Sequence, residues 1–188
     1  MRADGTEFPV ELAITRISTT GPPLFTAYLR DITERNREHD KLRRSESFLR
    51  LIWESSADGM RLTDGAGLVR MVNEAFCLMM GRPRESIEGY PLATVYAPLH
   101  GEAILRKHCE RFAARTIRPH HEAEVFLWDG RRVWFAVSNS FLEVPGDELL
   151  LLGVFRDVTD RKRAETERVE LLNRLTLQIE RLPLGSAD

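Results

Sequence analysis

Asp157 and Thr159 carry short oxygen-bearing side chains at the point where an apolar stretch ending at Phe155 gives way to the charged run from Asp160 to Arg163. Oxygens so placed can accept bonds from the orphan N–H groups of a starting helix, a contribution of about 1 kcal/mol. Asp31 and Thr33 repeat the pair 126 positions earlier (157 minus 31), again after an arginine and before charged residues. Asp4-Gly5 precedes the first copy as Asp129-Gly130 precedes the second. An isolated N-cap needs neither companion, so the repeat points to a recurring unit whose strand-to-helix junction carries a role beyond capping. Covalent chemistry is less evident. No nucleophile and base stand in a recognisable arrangement, and Gly65 and Gly67 lack the third glycine and following helix of a phosphate loop. His120 and His121 have no third metal ligand at a usual spacing, and Cys77 and Cys109 form no CxxC pair. A chain that binds and connects, not an enzyme, is expected.

The elements that would hold these residues follow from periodicity. With 188 residues, 43% of them hydrophobic, the chain can bury one good core. A net charge of -2 and a pI near 6.2 supply no basic field for nucleic acid. The longest apolar run, Leu149 to Phe155, is far too short to cross a bilayer, and Met1 to Gly5 opens on a charged turn rather than a leader. A cytoplasmic setting without membrane contact is expected. Residues 1–30 alternate as a β-hairpin with turns at Asp4-Gly5 and Gly21-Pro22-Pro23. Residues 34–56 read as a charged helix with a narrow apolar stripe. Met60 to Thr63 and Leu68 to Val72 make two strands around an Asp64-Gly65 turn, and Asn73 caps a helix from Glu74 to Met80 that Gly81 ends. A longer helix is expected over Gly101 to Ala114, then strands over 121–128, 131–143 and 149–158, then a second charged helix over 165–182 with Leu172, Leu175, Ile179 and Leu182 at heptad-like spacing.

Strand, Asp-Gly turn, strand, then Val72-Asn73-Glu74-Ala75-Phe76 with a glycine five residues later resembles the opening of a PAS domain. Residues 84–89 and 92–96 resemble the short helices over the PAS pocket, and Asp157-Val158-Thr159 the signature that joins PAS domains to output helices. The resemblance implies an α+β fold with a five-stranded antiparallel sheet and short helices on one face, flanked by long charged helices. It divides the chain into residues 1–33, the C-terminal hairpin of a preceding module; 34–57, a linker helix; 58–159, a complete domain; 160–182, a signalling helix; and 183–188, the start of a further module or a disordered tail.

The function implied is that of a sensor and dimerisation module in a bacterial signalling protein, such as a sensor histidine kinase or a cyclic-dinucleotide enzyme. Asp157, Thr159, Asp31 and Thr33 would transmit the signal. Met71, Phe76, Met80, Tyr96, Phe135, Val137 and Asn139 would line a ligand pocket, with the amide of Asn139 able to read a ligand's hydrogen-bonding edge or to meet a backbone group at the strand's end. No bound cofactor is the first expectation. Haem is the weaker candidate through His108, since a neutral imidazole suits iron, and flavin without a covalent adduct another, since residues 92–96 contain no cysteine. The expected partners are a second copy, through the flanking helices or the sheet, and neighbouring domains. A ligand-free spacer is the rival reading.

Overall fold

The computed structural model describes residues 5–17, 23–144, 146 and 148–180, so Asp4, Gly21, Pro22, Leu182 and the reading of 183–188 lie outside it. The chain divides into two compact units, Met1–Ile52 and Trp53–Asp188.

In the first unit β1 (Val10–Ile17) and β2 (Leu24–Asp31) form an antiparallel hairpin with both faces exposed, and α1 (Thr33–Ser55) starts directly after it. Asp31 Oδ1 accepts the Thr33 N–H at 2.9 Å, so the aspartate caps the first helical donor.

The second unit takes the last turn of α1 and adds β3 (Gly59–Thr63), β4 (Val69–Val72), α2 (Glu74–Met80), two 3-10 turns at Arg84–Ser86 and Leu92–Val95, α3 (Pro98–Ala113), β5 (His120–Phe126), β6 (Arg132–Val144), β7 (Glu148–Asp157) and α4 (Thr159–Glu180). The five strands form one antiparallel sheet in the order β4-β3-β7-β6-β5, as the α+β reading requires. Alternation along β6 sends Val133, Phe135 and Val137 into the core and leaves Trp134, Ala136 and Ser138 on the other face. Phe76, Met80, Ile87, Leu92 and Val95 close the core from the helical side, joined by Leu127 directly after β5. Full burial of each such side chain contributes about 1.5–3 kcal/mol.

Two boundaries differ from expectation. The long helix begins at Pro98, three residues before Gly101, because proline's fixed φ and missing N–H suit a first helical position. Gly101 lies inside it for a packing reason. A Cβ there would sit 2.5 Å from the Ala93 carbonyl oxygen, so only glycine lets α3 approach the Leu92–Val95 turn. The second charged helix begins at Thr159, six residues before Glu165, with no linker between sheet and helix.

Asn73 holds the turn between sheet and α2. Its Oδ1 accepts the Met60 N–H at 2.8 Å and the Phe76 N–H at 2.9 Å, and its Nδ2 donates to the carbonyls of Trp53 and Asp58. The side chain is fully buried and uses both halves of its amide. Gly81 ends α2 at φ 66°, in the left-handed region a helix C-terminus favours.

Candidate functional site

Between α3 and the inner face of the sheet lies a cavity of about 580 Å³. Its walls are Phe135, Val137 and Asn139 from β6, Leu151 and Phe155 from β7, and Ile104 and His108 from α3. Of the residues expected to line a pocket, Tyr96, Phe135, Val137 and Asn139 do so. Phe76 and Met80 do not. They are wholly buried in the core, where the Phe76 ring packs edge-on against Phe155 at 5.2 Å. Met71 points away and is half-exposed, because a bulge between Leu62 and Thr63 shifts the register of β4. Thr63 pairs with Val69 and Leu62 with Met71, which turns both Arg70 and Met71 outward. Asn139 spends its amide on the backbone, Nδ2 donating to the Arg118 carbonyl at 2.9 Å, which leaves its oxygen to face the cavity side of Gly153.

Sequence reasoning missed the most unusual lining residue. Arg61, in the middle of β3, is 7% exposed and lines the cavity, whereas Met60 and Leu62 on either side are only half-buried. The apolar pair disguised the pattern, because alternation read from Met60 and Leu62 turns Arg61 outward. A signal was present opposite it: Arg61 pairs with Gly153. A Cβ on Gly153 would come within 2.8 Å of the Phe155 ring, so the glycine makes room for that ring, and the Arg61 guanidinium lies over it at 4.8 Å and over Phe76 at 5.6 Å. Arg61 Nη1 reaches Tyr96 Oη at 3.4 Å, a long bond, and Nε is buried with no partner. Among the described residues no carboxylate stands within ion-pair distance of this guanidinium. A desolvated cation–π contact returns about 2 kcal/mol. Withdrawing an ion from water costs several. The aromatic faces therefore offset only part of the charge's desolvation.

The charged side chains in the rest of the lining are mostly basic. His100, Lys107 and Arg111 stand exposed on or beside α3 at the mouth, His121 lies on β5 with a buried, unpartnered Nδ1, and Glu124 is the carboxylate among the lining residues, paired with Arg132 at 3.3 Å. Burial pushes the His121 imidazole below its ordinary value, with Arg118 and Arg111 adding to the effect.

His108 is buried, and its Nε2 lies 2.7 Å from the Asp64 carbonyl oxygen, which can only accept; Nε2–H must therefore donate. That bond ties α3 to the β3–β4 turn and occupies the nitrogen a haem iron would take, so this geometry does not fit an axial ligand. Among the described residues no group of three histidine, cysteine or acidic side chains could hold a metal ion. Burial lowers the His108 pKa, opposed by the bond to Asp64 and reinforced by the charge of Arg61. A folded-state value below the unfolded one, about 6.5, means the folded chain binds fewer protons. Its stability contribution is complete above the unfolded value and is lost as pH falls toward the folded one. The heat-unfolding midpoint should accordingly drop between about pH 7.5 and pH 5.5, and His108→Gln, which keeps a donor for Asp64, should flatten that slope. An unchanged slope would remove His108 from the pH dependence.

At the end of β7 the junction is tied to the cavity wall. Asp157 Oδ1 accepts the Thr159 N–H at 2.8 Å, the counterpart of Asp31 and Thr33. Thr159 does not cap. Its Oγ1 accepts the Trp134 N–H at 3.0 Å while the Trp134 carbonyl accepts the Val158 N–H at 2.9 Å, so the first turn of α4 is bonded to β6 on both sides of one residue. In the first unit Pro9 accepts from Ile32 as Trp134 does from Val158, but proline has no N–H to give, and the Thr33 hydroxyl turns to Asp31 Oδ1 instead. Val10 faces Asp31 as Phe135 faces Asp157, so the two hairpins share a register. Lys162 and Arg161 pair with Glu122 on β5, Lys162 also lying over the Trp134 ring at 5.4 Å. Arg156 grips Asp58 with two bonds, at 2.9 and 2.6 Å, and holds that carboxyl below its ordinary range.

Comparison with known proteins agrees with this architecture. A family model described as the PAS fold matches residues 53–163, and one described as a PAS domain matches residues 1–34. The chain is 27% identical over 137 residues to the C4-dicarboxylate transport sensor protein DctS of Rhodobacter capsulatus, covering 72% of this chain and 21% of that protein. It is 25% identical over 150 residues to the probable diguanylate cyclase DgcE of Escherichia coli, covering 79% of this chain and 14% of that one. The crystal structure of the PAS domain of an HTR-like protein from Haloarcula marismortui superposes with a TM-score of 0.54 at 19% identity, over 65% of this chain and 98% of that one.

Proposed function

This chain belongs to the PAS family, and from that premise we propose that it is a sensor module of a signal-transduction protein in which a change at the cavity passes through the Asp157-Val158-Thr159 junction to α4. One observation carries the reading. Trp134, whose backbone holds the first turn of α4 through Thr159 and Val158, is flanked along β6 by Val133 and by Phe135, which lines the cavity. A displacement of that wall moves the helix start with no flexible link between them. The coupling is thermodynamic, and it is limited to the difference in contacts between the two states.

The chain spans 21% and 14% of the two curated relatives, and their names support a sensor protein or a diguanylate cyclase as the larger protein. Residues 1–33 read as the closing hairpin of a preceding module, supported by the family match over 1–34 and the shared register. Val169, Leu172 and Leu175 stand exposed along α4, which supports a second copy as its partner. Among the described residues no helix is long and apolar enough to cross a membrane.

Hydrogen exchange tests the coupling in this chain. Ala123, on the cavity lining, is replaced by Phe to fill part of the space. Ala123→Phe should change the protection of amides in the first two turns of α4. With Asp157→Ala or Thr159→Val added, that response should disappear while the sheet stays protected; by itself the first costs about 1 kcal/mol of cap energy, and the second about 1 kcal/mol for the acceptor lost to the Trp134 N–H. An α4 indifferent to the filled cavity would make the module a passive spacer.

A further inference from the structure

The cavity contains an arginine with no carboxylate partner among the described residues. Arg61 is more than nine-tenths buried, lines the space, has an unpartnered Nε, and among the described residues meets only a long tyrosine bond and two aromatic faces. A guanidinium keeps its charge in proteins, and a buried charge is ordinarily paired. The carboxylate nearest in kind, Glu124, is engaged with Arg132. Resting on the sensor reading above, we propose that the cavity takes a small organic carboxylate, its anionic end paired with Arg61 and its carbon skeleton against Phe135, Val137, Leu151 and Phe155.

Three features favour a carboxylate over other anions. The guanidinium fork matches two coplanar oxygens, and of the two arginines in the lining Arg61 alone is buried, Arg111 being exposed, so the buried end offers fewer donors than the three oxygens of a phosphate would need. The remaining deep wall is apolar, which suits an anion attached to carbon. His121, whose buried Nδ1 has no partner, lines the same cavity as a second polar side chain. At the mouth, Lys107 and Arg111 favour entry of a negative molecule and speed its approach at low salt.

Calorimetric titration of the whole chain with hexanoate, benzoate and succinate, and with hexanamide and inorganic phosphate as controls, tests this. At least one carboxylate should bind, and for hexanoate or benzoate the neutral amide of the same skeleton should bind about tenfold more weakly or not at all, the loss expected for one charge-assisted bond. Arg61→Met should lose carboxylate binding by a similar factor while keeping its heat-unfolding midpoint, since it removes an unpaired buried charge; Arg61→Lys should retain part of the affinity. Binding of the amide as tight as that of the acid, undiminished carboxylate binding by Arg61→Met, a preference for inorganic phosphate, or no binding of any of the three carboxylates at millimolar concentration would overturn the proposal. Should Arg61→Met fail to fold, the acid and amide comparison on the unaltered chain decides alone. The sensor reading fails separately, if filling the cavity with Ala123→Phe leaves α4 unmoved, so either proposal can fall without the other.

Discussion

Asn73→Ala is expected to lower the stability of the second unit by about 3–5 kcal/mol, among the largest losses a single substitution can produce. The side chain is fully buried and makes four bonds: it accepts from Met60 and Phe76 and donates to Trp53 and Asp58. Alanine leaves two backbone donors and two carbonyls without their partner, and each buried group so stranded costs about 1–3 kcal/mol before relaxation. Water can reach some of them, which keeps the total below the simple sum. Asn73→Asp sharpens the test. It retains the accepting oxygens but aims an anion at the Trp53 and Asp58 carbonyls, so its deficit relative to the parent should shrink as pH falls and the acid regains a proton to donate. Denaturant unfolding at two pH values measures both. A loss under about 1 kcal/mol for alanine would show that Asn73 is only the cap of α2.

Phe155→Ala should cost a comparable amount, about 3–5 kcal/mol, the range for deleting a buried phenyl ring. Phe155 is 3% exposed and stands against Phe76, Phe135 and the Arg61 guanidinium at once. The informative comparison is Phe155→Leu, which keeps most of the bulk but removes the aromatic face. In the parent chain this should cost about 1–2 kcal/mol beyond the volume lost, because Arg61 is left with the more distant ring of Phe76. In the Arg61→Met background the extra cost should vanish, and a double-mutant cycle isolates it. Additive losses would mean that the ring is simply core and that the charge is balanced elsewhere.

The arrangement has a logic that links these residues. Gly153 clears space for the Phe155 ring, the ring carries Arg61, and two residues after Phe155 comes Asp157, which caps α4. The strand that shapes the charged end of the cavity is therefore the strand that ends in the junction. Arg156, between them, is clamped to Asp58 at the entry to β3, so the two neighbouring strands are fastened at the level where the helix begins.

Local signals explain why much of the fold was legible. The Asp64-Gly65 turn, the Asn73 cap and the Gly81 stop depend on interactions within a few residues, and each element they bound lies where periodicity places it. The repeat of the junction was legible for the same reason, since an aspartate capping the residue two positions on is a local bond. The role of the threonine was not. Thr33 and Thr159 are the same residue in the same motif, yet one hydroxyl turns to its own aspartate and the other to the Trp134 N–H, because position 9 is proline and position 134 is not.

The cavity was less legible. Tyr96, Phe135, Val137 and Asn139 could be placed from alternation along one strand and the order of elements, but Met71 could not, because a bulge in the neighbouring pair inverts the pattern midway. Arg61 was hidden by two apolar neighbours whose side chains face the other way. What the sequence determined by itself was therefore the set of elements, their caps, and the recurrence of the strand-to-helix junction, all consequences of bonds and periodicities that span a few residues. Only the tertiary structure decided which side of β3 is inside, and with it that a positive charge sits in the cavity, because that choice rests on pairing with Gly153, some ninety residues away, and on the ring it admits.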